Sequence, residues 1–346
     1  MLTSASILLP KNMLLNGKTV TVTKLGLGGG QLGNAMVAIS DETAEKTLQQ
    51  AWDLGVRYFD TAPLYGVGLS LERVGRFLKK FPREEFAVSS KVGFLIKDGA
   101  TRSESDNCFL DGKVKHVEFD YSYAGIMNSI QQNKELLQMD YLDMGFVHDL
   151  GRYVHKDEHE LMMDRFFNNG GLVAMQELRE NKTLGAIGLG VNEWEVCVEV
   201  IERGFIPDCI MLAGRYTLLD QCSLGKFFDL CAEHNISVIV AGVYNSGILS
   251  GDPANISFNY AQASDEIIER KNQINRICKL HNVSLAQAAL QFPLLHPQVI
   301  AVVTGARSAL EIKQSIDRMR EVVNLALWAD LKKEKLIASN APIENS

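Results

Sequence analysis

The sequence predicts a parallel α/β fold, a (β/α)₈ barrel, from three observations. Short apolar runs rich in β-branched residues alternate along the chain with amphipathic helical runs. Eight strand-like runs can be recognised, and eight is the number that closes such a barrel. No stretch rich in Pro, Gly or Ser divides the 346 residues. We therefore expect one domain over residues 1–346, with its core at about 21–320.

The predicted strands are apolar over most of their length, as expected of strands buried on both faces. The helices between them carry apolar residues three and four positions apart. The first helix is predicted to start at Asp41, a residue type that caps helices, and to end at Gly55. In chain order the predicted strands cover 23–29, 56–60, 86–93, 141–149, 184–192, 209–216, 237–245 and 299–307.

Three further elements are predicted outside this repeat. Asn16-Gly17 is typical of a type I′ hairpin turn, which we expect to close the bottom of the barrel. Asp111-Gly112 predicts a second hairpin inside a long insertion at about 94–122, where it would line or cover a pocket. Residues 323–337 predict an extra amphipathic helix at the C-terminal end, packed outside the barrel.

Composition excludes several classes of protein. The net charge of −7 and the lack of a basic block argue against a nucleic-acid surface. No apolar run approaches the roughly 20 residues of a membrane span, and no charged leader precedes the short apolar stretch near the N-terminus. The six cysteines are scattered without a C-x-x-C pair, which favours reduced, mostly buried thiols. We expect a cytoplasmic protein without a nucleic-acid or membrane partner.

Two motifs match binding signatures without the structural setting that those signatures need. Residues 28–33 fit the G-x-G-x-x-G pattern of Rossmann folds, but there the helix must begin directly on the glycines, and here MVAISD intervenes. We expect a tight first loop beside the barrel mouth instead. Residues 155–159 fit the H-x-x-E-H zinc pattern but lack a third ligand and lie in a polar stretch. We expect a solvated loop or helix start there, and no metal.

The ends of successive strands carry the residues that suggest chemistry. Catalytic groups of this fold come from the carboxyl ends of several strands. Those ends carry Asp60, Lys91, His148 and Asn192, and Tyr65 follows Asp60 in the same loop. Each has a structural alternative, such as a plain Asp60–Lys91 ion pair. Together they suit proton transfer coupled to hydride transfer, and because none of them accepts a hydride, a nicotinamide cofactor is required.

The expected roles follow from ordinary pKa values. A phenol has a pKa near 10 and needs help to exchange protons near neutral pH. We expect the Lys91 ammonium to lower the pKa of Tyr65, and Asp60 to hold that ammonium in place. A neutral His148 would orient the reacting oxygen.

Segments 55–75, 89–93 and 146–149 resemble the aldo-keto reductase superfamily, and the resemblance covers about residues 21–320. It implies that Tyr65 is the general acid/base, that Lys91 lowers its pKa, that Asp60 supports Lys91 and that His148 orients the substrate. All four matching positions are occupied, so an inactive relative is not expected.

Segments 211–221, 241–251, 289–297 and 302–308 are similar to one branch of that superfamily. The branch contains sugar 1-dehydrogenases acting on L-fucose, L-galactose or D-threo-aldoses, and pyridoxal 4-dehydrogenases. The similarity implies a small-molecule substrate, an aldose in its ring form or pyridoxal as its hemiacetal, oxidised to a lactone. Three alternatives stay open: a general NADPH-dependent carbonyl reductase, a regulatory nucleotide-binding subunit, and a pyridoxal-phosphate enzyme with Lys91 as Schiff base. The oligomeric state also stays open.

The resemblance further implies a set of cofactor contacts. Asn192 matches the amide that contacts the nicotinamide carboxamide. Gly305 and Arg307 match the loop at the adenosine phosphate end. The loop after the seventh strand matches the one that covers the pyrophosphate, with its contacts at Val243, Tyr244, Asn245, Gly247 and Leu249.

Two departures from the family pattern affect the cofactor. Glu311 stands where NADP-preferring relatives carry a basic residue, and a carboxylate would repel a 2′-phosphate, so NAD is predicted, with NADP as the alternative. Ala241 stands where many members stack a tyrosine on the nicotinamide, and Ala213 where many have glutamine. We therefore expect Tyr216 or Tyr244 to hold the nicotinamide ring.

Overall fold

Parallel strands surrounded by helices close into a barrel. The structure is a computed structural model and describes residues 9–99, 109–110, 115–252 and 254–343. Within these residues eight strands form the barrel, each hydrogen-bonded to its neighbours in a closed ring. All eight pairings are parallel, so the carboxyl ends of the strands meet at one mouth.

In the described residues the strands are β1 Lys11–Met13, β2 Thr21–Thr23, β3 Leu25–Gly28, β4 Tyr58–Asp60, β5 Ala87–Val92, β6 Phe94–Asp98, β7 Lys115–Phe119, β8 Leu142–His148, β9 Leu184–Val191, β10 Cys209–Ala213, β11 Ser237–Ala241, β12 Ser257–Phe258, β13 Ala261–Gln262 and β14 Val299–Gly305. The helices there are α1 Asp41–Asp53, α2 Leu69–Leu78, α3 Tyr123–Leu137, α4 Arg152–His155, α5 His159–Phe167, α6 Gly171–Glu180, α7 Glu195–Glu202, α8 Lys226–Glu233, α9 Asp265–Leu280, α10 Leu285–Gln291, α11 Ala309–Arg320 and α12 Leu325–Lys333. Short 3-10 helices cover Gln31–Gly33, Arg83–Glu85, Lys156–Glu158, Asn245–Gly247 and Phe292–Leu295.

The predicted barrel and its eight strands are confirmed. The ring runs β3, β4, β5, β8, β9, β10, β11, β14 and back to β3. Seven of the eight strands end one to four residues earlier than predicted, and β4 ends at Asp60 as predicted. At the end of β11, for example, Gly242 has a φ of +64°, which glycine adopts without strain.

The first helix is capped by a different residue than predicted. The Ser40 hydroxyl, not Asp41, accepts the Thr43 N–H at 3.1 Å. The Asp41 carboxylate instead binds Arg73 at 2.8 Å and Arg76 at 3.0 Å. Ser40 has extended backbone angles and so occupies the capping position, while Asp41 is the first residue of the helix.

The N-terminal hairpin closes the bottom of the barrel, as predicted. β1 and β2 pair antiparallel, and Leu14, Val20 and Val22 pack into the barrel interior. The turn type is not the predicted one, because only Gly17 of the Asn16-Gly17 pair has a positive φ, whereas a type I′ turn needs two. The Gly17 N–H donates to the Leu14 carbonyl at 3.2 Å. The Asn16 amide donates to Asp208 at 2.8 Å, which fixes the turn against the base of β10.

The insertion after β5 forms a hairpin. β6 pairs antiparallel with β7, while Asp111-Gly112 and Cys108 lie outside the described residues. The extra C-terminal helix is α12. None of the helices in the described part of the chain combines the length and apolar character that a bilayer crossing needs. The described cysteines are unpaired, and four of those five are buried, as expected.

The glycine-rich segment 28–33 packs the first loop against the loop that carries Tyr65. Only a 3-10 turn follows the glycines, and α1 begins at Asp41, so the Rossmann arrangement is absent from these described residues. A Cβ on Gly33 would lie 2.4 Å from the Tyr65 carbonyl carbon, so only glycine allows this approach. The predicted tight loop beside the mouth is confirmed.

The segment 155–159 contains a helix start, one of the two predicted settings, and its three central residues are exposed while its two histidines are buried. His155 closes α4 and His159 opens α5, and both side chains are buried. The Tyr121 hydroxyl lies 2.7 Å from Nε2 of His155, and His159 Nε2 lies 2.9 Å from Glu199. Each histidine has a polar partner inside the protein, which explains why both are buried.

Candidate active site

Apolar side chains fill the barrel interior below the mouth, and polar side chains replace them at the top. Alternate strand residues point inward and form an apolar cluster around Tyr58, Phe146 and Met211. One layer higher, the inward positions of β4, β5 and β8 carry Asp60, Lys91 and His148. The alternation of side chains therefore brings the three predicted polar groups to one side of the mouth.

Asp60 and Lys91 form a buried ion pair. The Lys91 ammonium donates to Oδ2 of Asp60 at 2.7 Å and to the Thr61 carbonyl at 3.1 Å. Ser89 donates to the other Asp60 oxygen at 2.7 Å. Burial acts to lower the pKa of Lys91, but Asp60 and Tyr65 outweigh it and hold that pKa above its ordinary value. Lys91 is thus a fixed ammonium, not the neutral amine that a Schiff base requires.

Tyr65 lies beside this ammonium in the loop after β4. The Lys91 nitrogen is 4.8 Å from the centre of the Tyr65 ring. Burial raises the pKa of Tyr65 and outweighs the lowering effect of Lys91, so the net pKa lies above its ordinary value. Lys91 therefore lowers the pKa of Tyr65 as predicted, while burial of the phenol has the larger, opposite effect.

His148 completes the polar side of the mouth. Its ring lies edge-on to the Tyr65 ring at 6.2 Å and stacks on Phe94 at 4.4 Å. Burial and the neighbouring Lys91 charge hold the pKa of His148 well below its ordinary value. The imidazole is neutral, which is the state that can donate a hydrogen bond to a substrate oxygen without carrying a charge. The Tyr121 hydroxyl donates to the His148 carbonyl at 2.7 Å and fixes this strand end.

Asp149 is a buried carboxylate that sequence reasoning missed. It follows His148 with a φ of +40°, which turns its side chain toward Asn192 at the end of β9. Both the backbone N–H and the amide of Asn192 donate to Oδ1 of Asp149 at 3.1 Å. Oδ2 of Asp149 lies 3.7 Å from Nε2 of His148. Burial raises the pKa of Asp149 to about 6, against the hydrogen bonds from Asn192. The Asp149 carboxylate, which can bind a proton near pH 6, therefore borders the predicted site in addition to Tyr65.

The opposite side of the mouth is lined by very small residues. Ala213 and Ala241 pair in register at the ends of β10 and β11. Gly28 and Gly305 pair in register at the ends of β3 and β14. A Cβ on Gly305 would lie 1.6 Å from the Gln31 side-chain oxygen, so a larger residue there would have to displace that side chain. We call these four residues the small half of the mouth, and Asp60, Lys91, His148 and the adjacent Tyr65 the polar half.

The loop after β11 is held by contacts inside the protein. The side chains of Val243, Asn245 and Leu249 are buried in the protein, and Thr217 donates to Oδ1 of Asn245 at 2.5 Å. The N–H groups of Gly247 and Leu249 both donate to the Tyr244 carbonyl. The three buried side chains are thus used inside the fold, and these two N–H groups are bonded within the loop.

Arg307 and Glu311 bind each other at the start of α11. Glu311 accepts from the Arg307 backbone N–H at 2.8 Å and lies 3.1 Å from its guanidinium. Ser308 caps the helix by accepting the Glu311 N–H at 3.2 Å. Sequence reasoning gave the two residues separate roles, although residues four apart at a helix start commonly pair. Here they form one exposed ion pair beside the end of β14.

The expected aromatic partners of the nicotinamide are not both available. Tyr216 is fully buried and packs against Phe228, Phe292 and His296, so it faces away from the mouth. Gly214, with a φ of +70°, turns the chain there. Another aromatic side chain, Tyr260, reaches the rim beside these strands, and its hydroxyl donates to Oδ1 of Asn192 at 3.3 Å. Nothing in the local sequence pattern indicates that contact.

A group of possible metal ligands lies on α5 and α7. Among the described residues, His159, Glu160 and Glu199 each bring one ligand atom within 4.8 Å of the others. Arg203 binds both carboxylates, and Arg152 binds Glu160 at 2.6 Å. The carboxylates are already paired with guanidinium groups, and we assign no metal to them.

Comparison with known proteins agrees with this architecture. Residues 24–333 match the Aldo/keto reductase family. A pyridoxal 4-dehydrogenase from Microbacterium luteolum is 38% identical over 333 residues, which cover 93% of this chain and 97% of that protein. A D-threo-aldose 1-dehydrogenase from Pseudomonas sp is 35% identical over 324 residues, covering 92% and 95%.

Solved structures give the same result. The holo form of an aldo-keto reductase from Bacillus halodurans superimposes with a TM-score of 0.73 at 25% identity, covering 96% of this chain and 98% of the other. Three findings agree. The family match covers most of the chain, two dehydrogenases are more than one-third identical to it, and the solved structure shares its barrel. The chain is an oxidoreductase that belongs to the aldo/keto reductase family.

Proposed function

We propose that this enzyme oxidises the anomeric C1 hydroxyl of a small aldose to a lactone, using NAD, with Tyr65 as general acid/base. The aldose is of the L-fucose, L-galactose or D-threo-aldose type. The observation that carries the proposal is the polar half of the mouth, where a phenol, a fixed ammonium and a neutral imidazole face one space. The relative that acts on D-threo-aldoses supports the substrate class.

The polar half would act on the oxygen of the reacting carbon. In oxidation, that hydroxyl gives its proton to the Tyr65 oxygen as phenolate, while C1 loses a hydride, and the C–O bond becomes the lactone carbonyl. The nearby Lys91 ammonium stabilises the phenolate, and Asp60 keeps the ammonium in place at 2.7 Å. His148, neutral in this environment, donates to the same oxygen and orients it.

The small half has the shape that a flat cofactor ring requires. A bound nicotinamide would supply the hydride acceptor that none of these side chains provides. Ala213 and Ala241 carry only a methyl group each and leave space beside the reacting carbon, while the Gln31 side chain lies beside Gly305. Asn192 would hold the carboxamide, and the backbone around Tyr244 and Gly247 would follow the diphosphate. Gly305 and Arg307 would border the adenosine end.

The preference for NAD rests on Glu311. A carboxylate at the start of α11 repels a 2′-phosphate and accepts a hydrogen bond from a free 2′-hydroxyl. Its ion pair with Arg307 leaves no net charge to attract a phosphate there. Both residues are partly exposed, so an adenosine ribose can reach them.

A second candidate is pyridoxal 4-dehydrogenase activity. The 38% identical relative has this activity in its name. Pyridoxal exists as a cyclic hemiacetal, so its oxidation also removes a hydride and a proton from one carbon and its hydroxyl to give a lactone. The polar half would serve both substrates in the same way.

A substrate panel tests the proposal. L-fucose, L-galactose, D-arabinose and pyridoxal are each offered with NAD and with NADP at equal concentrations, and reduced cofactor is followed by absorbance. We expect turnover with at least one aldose, faster with NAD. Turnover of pyridoxal alone would select the second candidate. Inactivity with all four, combined with NADPH-dependent reduction of simple aldehydes, would replace both with a general carbonyl reductase.

A further inference from the structure

A short hairpin places an aromatic ring at the rim of the barrel. β12 and β13 pair antiparallel, and their connecting residues are Asn259 and Tyr260. Both have positive φ values, 48° and 64°, as a type I′ turn demands. A bulky tyrosine is rarely found in this left-handed conformation, which costs it energy. Strain of this kind persists only where surrounding contacts hold it, and it often marks a functional position.

Hydrogen bonds to two different loops hold Tyr260 across the mouth. Its backbone N–H donates to the Ser246 hydroxyl at 2.9 Å, in the loop after β11. Its phenol donates to Oδ1 of Asn192 at 3.3 Å, at the end of β9. Since β10 lies between β9 and β11, the side chain bridges the rim above the end of β10. Asn259 also lies close to Gly214, which directly follows β10.

The small half of the mouth lies below this bridge. Val191 and Leu212 pair in register, which places Asn192 beside Ala213, and Ala213 pairs with Ala241. The inward side chains under the bridge are therefore single methyl groups. The Tyr260 side chain is 63% exposed, so a ligand can reach it from solvent. An alanine floor and an aromatic roof define a space for a flat group.

We propose that Tyr260 is the aromatic surface against which the nicotinamide ring of the cofactor stacks. The inference rests on the proposed function, in which the polar half holds the reacting oxygen. A hydride leaving the carbon next to Tyr65 and His148 must pass to the other half of the mouth. That half is where Tyr260 covers the alanines.

The chemistry of the two rings favours this contact. Offset aromatic rings attract each other beyond the area that they bury. The oxidised nicotinamide is a cation, and the face of a tyrosine ring attracts a cation through its negative quadrupole. Tyr260 therefore stabilises the oxidised cofactor more than the reduced one. Its hydroxyl, already on Asn192, would also hold that amide in position for the carboxamide.

Calorimetric binding of NAD, NADH and ADP-ribose tests the proposal, because ADP-ribose lacks only the nicotinamide. Tyr260→Ala should weaken NAD about fivefold, weaken NADH less, and leave ADP-ribose within about twofold. Tyr260→Phe keeps the ring and should stay within about twofold for all three ligands. Tyr123→Ala, which removes another exposed tyrosine at the start of α3, is the matched control and should change nothing. If the protein prefers NADP, then NADP, NADPH and 2′-phospho-ADP-ribose take the same places.

Two results would overturn the inference. Equal losses for NAD and ADP-ribose in Tyr260→Ala would mean that the hairpin orders the diphosphate loop instead. Unchanged affinities with a raised substrate KM would mean that Tyr260 covers the substrate. These binding measurements need no turnover, so failure of the aldose panel leaves them valid, and their failure leaves the panel valid.

Discussion

The two halves of the barrel mouth are built by opposite means. In the polar half, buried side chains bind one another, as the Lys91 ammonium binds both Asp60 and the Thr61 carbonyl. In the small half, Ala213, Ala241 and two glycines leave room by having almost no side chain. The difference teaches that one half acts through the groups it presents and the other through the space it leaves. Deleting a group should therefore damage the first half, and adding one should damage the second.

Removal of the Tyr65 hydroxyl should have the largest effect. Tyr65→Phe keeps the ring beside Lys91 but removes the atom that takes the substrate proton. General acid/base catalysis contributes about 10²–10⁴-fold, so we expect kcat to fall by that range. Cofactor affinity, which depends on the other half, should stay within about twofold. Steady-state kinetics and NADH fluorescence titration measure the two quantities on the same sample.

The matched control for this change is Tyr141→Phe. Tyr141 is a half-buried tyrosine that directly precedes β8, at the opposite end of the barrel from the mouth. Loss of its hydroxyl should leave kcat unchanged, because no reacting group lies at that end. If Tyr65→Phe retained most of its activity, the proton would have to reach another group, and the proposed mechanism would be wrong.

Adding a larger side chain to the small half should have a smaller effect than the loss of the Tyr65 hydroxyl. It should weaken cofactor binding, whereas Tyr65→Phe lowers kcat. Ala241→Leu adds three carbons at the inward end of β11, where we place the cofactor ring. Overpacking costs about 1–3 kcal/mol, so NADH should bind roughly tenfold more weakly or worse. Ala232→Leu, on the exposed side of α8, is the matched control. Equal NADH affinity in the two variants, with both folded by circular dichroism, would place the nicotinamide elsewhere.

The sequence predicts the polar half better than the small half. Asp60, Lys91 and His148 end or nearly end three strands, and the carboxyl ends of parallel strands share one edge, so their meeting follows from the strand pattern alone. The eight strands follow from their apolar runs in the same way. The small half was visible only as two departures, Ala213 and Ala241, because a missing side chain gives no positive signal.

The remaining features depend on backbone angles that no residue pattern fixes. Asp149 turns toward Asn192 because its φ is +40°, where regular alternation would have pointed it out of the barrel. Tyr216 is buried because Gly214 turns the chain after β10, and Tyr260 reaches a residue 68 positions away through a strained turn. The burial of Tyr65, which raises the pKa of the phenol, likewise has no signal in the residue pattern.

The smallest predicted effect is on the free energy of unfolding, and it comes from replacing Asp149, the buried carboxylate beside the site. Burial raises the pKa of Asp149 to about 6, so the folded protein binds this proton more tightly than the unfolded chain does. Stability from this group is then fully present below the unfolded pKa, near 4, and is lost as pH rises to about 6. Above that window a charged carboxylate is held in a buried position, and the fold is weaker for it.

Asp149→Asn should therefore raise the free energy of unfolding near pH 7.5 by about 1–2 kcal/mol, and the gain should vanish near pH 4. The amide oxygen can still accept from Asn192, and asparagine tolerates a positive φ at least as well as aspartate does. Urea unfolding at the two pH values measures the difference, with the exposed Asp157→Asn as control. A gain that is equal at both pH values would show that the charge of Asp149 does not weaken the fold. A gain confined to neutral pH would mean that the site retains a carboxylate at the expense of stability, as expected of a group that serves the substrate.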